Sequence, residues 1–410
     1  MYKGHDCFNR LIKAAIIGMT INVCISAPGV AKETTMVPLP ISEERTGSYV
    51  IDAEETTDQI DAVLSGLSTD EKVAQLFIIT PEALTDVTGV TAAGPVTEEA
   101  FANFPVGGII YMENNIQTRE QTKQMLSSMQ AISMNRIGLP AFLAVDEEGG
   151  SVRRVSGRLE NVPYIADMLS TGSTGEIGQA YVTGSTIGGY LSQLGFNVDF
   201  APVADVLTNP NNTVIGDRSF GSDVRIVSEM VSMEVNGLRD SGVCATLKHY
   251  PGHGDTYEDS HLGLAVSYKS LEDINSCELL PFASGISAGA EFVMAGHIAM
   301  PNVTGDDTPA SLSYTMLTEI LRNSLGFDGI IITDALNMGA IVNSYGSGEA
   351  AVKAIEAGAD MLLMPDDFKA SYNGVMEAVN TGRISVERLD ESLHRIIRQK
   401  IEILDKASGW

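Results

Sequence analysis

The sequence predicts a single α/β domain built as a TIM-type (β/α)8 barrel. Eight short, mostly apolar runs alternate with helical stretches from residue 58 onward, and polar residues cluster where several of the runs end. Runs without polar alternation mark parallel strands covered on both faces. Eight such units over roughly 350 residues suit a barrel, which takes about 250 residues or more. No Gly-x-Gly-x-x-Gly follows the first run, which weakens the competing open, doubly wound sheet.

The chain begins outside that pattern. Lys3, Arg10 and Lys13 precede an apolar run over 14–23, and Gly29-Val30-Ala31 offers a small-residue cleavage site. Residues 1–31 therefore read as an export signal, which implies a secreted or cell-envelope location. The run, interrupted by Thr20 and Asn22, is too short for a membrane span. Cys24 follows Thr20-Ile21-Asn22-Val23, a poor lipobox, so membrane association rests only on an N-terminal anchor. Residues 32–57, rich in Thr, Pro, Ser and Glu, read as a linker. The folded domain is expected over 58–405.

The elements follow in order. A helix is expected over 58–76, with Ser68 or Thr69 as a cap ahead of Asp70-Glu71. Strands are expected at 76–80 and 107–112, a helix over 118–136, and a strand at 140–145 ending in Asp146. A helix over 174–194 leads to a strand at 196–206 containing Asp205. A helix over 223–240 leads to a strand at 243–248. Helix 270–288 leads to strand 292–297, helix 314–324 to strand 329–333 and Asp334, and helix 348–357 to strand 360–364. Helices 371–381 and 385–403 close the chain.

Composition bounds the partners. The 410 residues are 44% hydrophobic, ample for a core, and carry 40 glycines, as many short loops require. The formal charge of −27 argues against a nucleic-acid partner. Cys244 and Cys277, which remain beyond the signal, do not resemble a disulfide framework and read as small buried hydrophobes.

Three of the six histidines lie in one stretch, Lys248-His249-Tyr250-Pro251-Gly252-His253-Gly254-Asp255-Thr256, continued by Asp259-Ser260-His261. Pro251, Gly252 and Gly254 rule out a helix, so a strand opens here into a long loop. Asp259 and His261 are two apart, and in an extended backbone they point to one side. A carboxylate there can polarise an imidazole that trades a proton near neutral pH. Zinc ligation is the minority alternative, because Pro251 and Gly252 deny His249 and His253 their helical spacing. Asp146, Asp205, Lys248-His249, His297 and Asp334 fall at predicted strand ends, the barrel face that carries active sites.

The 248–261 stretch resembles the signature of glycoside hydrolase family 3, in particular its single-domain β-N-acetylglucosaminidase branch, and the likeness extends over nearly all of 60–400. The resemblance implies retaining exo-hydrolysis of terminal β-linked N-acetylglucosamine from cell-wall fragments or chitooligosaccharides, with a small carbohydrate as the only partner and neither cofactor nor metal. It implies Asp334 as nucleophile, His261 as acid/base and Asp259 as its partner. It implies Asp146, Arg154, Arg218, Lys248 and His249 as sugar ligands. Arg154 has an alternative as the ion-pair partner of Glu147 or Glu148. Ser151 stands where the family commonly has an arginine and is assigned no role. Two further activities stay open: a β-N-acetylglucosaminide phosphorylase, since a neutral His261 admits phosphate as acceptor, and a β-glucosidase. A non-catalytic sugar-binding module would lack Asp334 or His261, and both are present.

Overall fold

The computed structural model describes residues 53–408 apart from Glu258 and His261. The expected export signal and most of the linker lie outside the described residues. The chain divides into two units, Met1–Gln59 and Ile60–Trp410, and the account that follows concerns the second.

Eight parallel strands form the sheet: β1 Phe77–Ile79, β2 Gly108–Ile110, β3 Phe142–Val145, β4 Val198–Asp199, β5 Cys244–Tyr250, β6 Phe292–Ala295, β7 Ile330–Thr333 and β8 Leu362–Leu363. Their order is β7-β6-β5-β4-β3-β2-β1-β8, and the bridge between Ile332 and Met361 joins the two ends. The ring is a (β/α)8 barrel of the TIM type. Phe77, Ile78, Phe142, Leu143, Val293 and Ile331 are wholly buried. Unbroken burial on both faces is what the non-alternating runs require.

Glycine sets one helix contact of the outer ring. A Cβ on Gly184 would stand 2.3 Å from the Glu234 carbonyl oxygen, and one on Gly237 2.5 Å from the Ser185 nitrogen. The helices Gly178–Leu194 and Val224–Asp240 therefore cross backbone to backbone. On another side, Asp360, just before β8, is fully buried and accepts from Arg322 at 2.6 Å, Arg395 at 3.2 Å, Ser392 at 2.8 Å and the Ile331 amide at 2.9 Å. That network ties the last helix, Val386–Ser408, to β7.

Several expected boundaries move. The expected helix 58–76 is two helices, Ala53–Gly66 and Thr69–Ala74, so the first begins ahead of the expected domain start at 58. Ser68 accepts from the Glu71 amide while Glu71 accepts from the Ser68 amide, a capping box that starts a new helix. Helix 270–288 is likewise two, Leu271–Ser276 and Leu279–Ser287. Pro281 would clash with the Cys277 carbonyl in a continuous helix and is tolerated only in a first turn. The expected strand 196–206 is reduced to β4 plus a bridge from Val203 to Lys248, because Pro202 has no donor for the ladder. Strand β5 runs on to Tyr250, so Lys248-His249 lies within the strand and not at its end. Cys244 is buried, Cys277 is partly buried, and both are free thiols. Among the described residues no helix is long and apolar enough to cross a membrane.

Candidate active site

The polar residues that follow β3 and β7 converge with those inside the last part of β5. Asp146 follows β3, and its Oδ1 accepts from Lys248 Nζ on β5 at 2.9 Å. Lys248 is almost wholly buried and also meets Glu148 Oε1 at 2.6 Å. Burial disfavours its charge, but the two carboxylates outweigh it and raise its pKa. Glu148 sits in a small antiparallel hairpin, Glu147–Gly149 with Val152–Arg153, that the apolar periodicity does not reveal. Arg218 grips it in fork geometry, Nε to Oε2 and Nη2 to Oε1, both at 2.8 Å. Burial pushes the Glu148 carboxyl up, yet the Arg218 and Lys248 charges hold it well below the usual carboxylate range.

His249 takes its orientation from two sides. Its Nδ1 lies 2.8 Å from Asp205 Oδ2, and its Nε2 lies 3.2 Å from Arg218 Nη2. Asp205 is fully buried and also accepts from the His253 amide at 2.6 Å. Burial pushes Asp205 up, but the adjoining His249 and His253 bring it below its ordinary value. His253 meets Ser260 Oγ at 3.0 Å and Thr256 Oγ1 at 2.6 Å. The ring nitrogens of His249 and His253 are thus engaged by protein groups. Among the described residues no group of three or more His, Cys, Asp or Glu is arranged to hold a metal ion. The loop itself is pressed against β4's extension: a Cβ on Gly254 would stand 2.0 Å from the Val206 carbonyl oxygen.

Asp334 follows β7. Its Oδ1 accepts from the Ala335 amide at 2.8 Å, and the Ala335 carbonyl accepts from His297 Nε2 at 2.9 Å. One residue is held from both sides, so the carboxylate is fixed in place. Burial raises the Asp334 pKa, but the nearby His297 and His249, the Ala335 amide and Lys248 together bring it below the ordinary value. The same electrostatic environment thus joins Asp334 to Lys248-His249.

Arg154 makes no ion pair with Glu147 or Glu148. Glu147 instead accepts from the Val155 and Ser156 amides and from the Tyr190 hydroxyl, and Glu148 is held by Arg218 and Lys248. Arg154 borders an open depression of about 350 Å³ with Met112, Glu113, Asn114 and Arg158, and its buried Nε has no hydrogen-bond partner among the described residues. Asp259 lies in a turn, its carbonyl accepting from the Leu262 and Gly263 amides. The backbone there is turned and not extended as expected. His261 lies outside the described residues.

Glu148, Asp205 and His297 complete the constellation without having been assigned roles from sequence. Asp205 and His297 were visible as polar residues near strand ends. Glu148 sits two residues beyond Asp146 in the same acidic motif, which was its only signal.

The chain is similar to known proteins over most of its length. The model of the glycosyl hydrolase family 3 N-terminal domain matches residues 68–399. Beta-hexosaminidase A of Pseudoalteromonas piscicida is 34% identical over 337 residues, 77% of this chain and 56% of that protein. Beta-hexosaminidase LpqI of Mycobacterium tuberculosis is 33% identical over 342 residues, 82% of this chain and 83% of that one. A glycoside hydrolase family 3 beta-N-acetylglucosaminidase from Paenibacillus sp. superposes with a TM-score of 0.77 at 36% identity, covering 82% of this chain and 63% of that one. The chain thus spans little more than half of the Pseudoalteromonas protein and under two thirds of the Paenibacillus chain.

Proposed function

The chain belongs to glycosyl hydrolase family 3, and from that premise and the site's geometry we propose that it is a retaining exo-β-N-acetylglucosaminidase. Its substrate is a small carbohydrate, a chitooligosaccharide or cell-wall fragment with a terminal β-linked N-acetylglucosamine. The names of the relatives support the sugar. One observation supports the chemistry above the others: a carboxylate after β7, pinned through Ala335 and kept ionised by its surroundings, the Lys248 charge among them.

In this reading Asp334 attacks the anomeric carbon, the bond to the leaving oxygen breaks, and a covalent glycosyl-enzyme forms. His261 gives its proton to the leaving oxygen, then takes one from the water that releases the sugar, and Asp259 orients it. Asp146, Arg154, Lys248 and His249 bind the sugar hydroxyls. Arg218 acts largely through Glu148 and His249.

The test is turnover of an aryl N-acetyl-β-glucosaminide beside the aryl β-glucoside, each with and without phosphate. Preference for the N-acetyl substrate, with free sugar as product in both buffers, is the expected result. A preference for the glucoside, or a sugar phosphate as the main product, would replace the proposal with one of the two other activities.

A further inference from the structure

A second groove lies outside the site. It runs between the loop 164–166 and the helices Met168–Ser173 and Gly178–Leu194, with a volume of about 380 Å³. That is within the range of about 300–1,000 Å³ typical of small-molecule sites. Tyr164 forms one wall and is 70% exposed. The Arg153 guanidinium stacks 5.2 Å from its ring centroid, which holds the ring in place without covering it.

The rest of the wall is hydroxyl-rich. Ser170 Oγ donates to Asp167, Thr171 Oγ1 to the Asp167 carbonyl and Thr186 Oγ1 to the Val182 carbonyl. Each hydroxyl proton is used inside the protein, which leaves the oxygens as acceptors. Gln179 adds an amide, and Glu176 a carboxylate. The lining contains no lysine or arginine, and the chain carries a formal charge of −27, so an anionic ligand is disfavoured. Helices and a turn line the groove with no strand edge, which rules out addition of a peptide strand. An exposed aromatic ring beside a row of hydroxyl acceptors suits a polyhydroxylated ring with apolar C–H faces.

We infer that this groove is a second glycan-binding site, which takes a neutral β-linked oligosaccharide. It is tied to the catalytic centre through one hairpin: the Ile165 carbonyl accepts from the Gly150 amide at 3.1 Å, two residues from Glu148. The inference deepens the glycosidase reading, because the groove takes the same class of polymer that the site would trim.

The experiment uses calorimetric titration with chitohexaose in an Asp334→Ala background, together with aryl N-acetyl-β-glucosaminide turnover by enzyme with Asp334 intact. Two binding events are expected in the Asp334→Ala protein. Adding Tyr164→Ala weakens one of them about tenfold, the order of one lost aromatic contact. Tyr164→Phe retains both events, and Tyr164→Ala alone leaves aryl glycoside turnover unchanged. Unaltered binding by the Tyr164→Ala protein, or an equal loss on the aryl glycoside, would overturn the inference. Tyr164-dependent binding in a protein that turns over no aryl glycoside would fault the proposed reaction and leave the groove standing.

Discussion

Arg218 Nη2 lies 3.2 Å from His249 Nε2, and a guanidinium can only donate. His249 Nε2 is therefore an acceptor, and its Nδ1–H donates to Asp205 at 2.8 Å. The tautomer is fixed by two partners that the chain delivers from different loops. Four of the five N–H groups of Arg218 are committed to protein, two to Glu148, one to His249 and one to the Val214 carbonyl. Arg218 thus acts more as a brace for Glu148 and His249 than as a free sugar ligand.

Arg218→Lys tests that brace. A point charge keeps the sign but loses the fork on Glu148 and the contact that sets His249. We expect kcat/KM on the aryl N-acetyl-β-glucosaminide to fall about 10²-fold, in line with misplacement of site groups, with an unchanged melting curve. A fall below threefold would make Arg218 peripheral to the site.

The buried carboxylate of Asp360 supplies a stability test. It is surrounded by Arg322, Arg395 and Ser392, and its Oδ2 also accepts from the Ile331 amide. Asp360→Ala leaves buried cations without their partner, which typically costs about 3–5 kcal/mol. Chemical denaturation of the variant should show the unfolding free energy shift down by that order. A shift within the range of surface substitutions would mean that the network adds nothing net.

How much of this was legible in the sequence follows from what each feature depends on. Asp146 and Asp334 were readable because a carboxylate directly after an apolar run can only lie at a strand end. The barrel was readable for the same reason, since each strand declares itself by its own residues. Glu148 was not assigned, because its role depends on a tight hairpin that turns its carboxylate toward Lys248 and Arg218. The split of the expected helix 58–76 was written in Ser68 and Glu71, but apolar spacing alone ran across it. The continuation of β5 to Tyr250 depends on pairing with Ala295, which no local pattern encodes.

Two buried ionisable side chains make stability depend on pH in opposite senses. Glu234 is buried with neither carboxylate oxygen partnered among the described residues, and burial, with the Glu148 charge, pushes it up to about 8. The unfolded chain releases that proton near pH 4.5, so Glu234 makes stability fall as pH rises from about 4.5 to 8. Lys400 is buried too, meets Gln75 Oε1 at 2.7 Å and stacks on Phe142, and burial brings it down to about 7. Its contribution runs the other way, rising with pH from about 7 to 10.5. Melting temperatures measured across pH should therefore show Glu234→Gln gaining on the wild type from pH 5 to 8. Lys400→Met should gain most below pH 7 and lose that advantage by pH 10. A pH-independent offset for either variant would rule out its titration as the cause.

The last prediction concerns the proposed acid/base. Replacing His261 should hurt substrates with poor leaving groups most, because those need a proton on the departing oxygen. General acid help of that kind is worth about 10²–10⁴-fold. A nitrophenolate leaves without it, so formation of the glycosyl-enzyme should suffer less on a nitrophenyl glycoside. Release of the sugar would still lack its base, and the covalent intermediate should accumulate. Azide attacks without losing a proton, so it should restore turnover of His261→Ala and give a glycosyl azide of retained configuration. Asp259→Ala should show a milder form of the same pattern, because it would orient His261 without transferring the proton. The measurement is His261→Ala on a natural disaccharide and on a nitrophenyl glycoside, each with and without azide. Equal losses on both substrates, with no azide rescue, would assign His261 to holding the loop or the sugar and place the acid/base elsewhere.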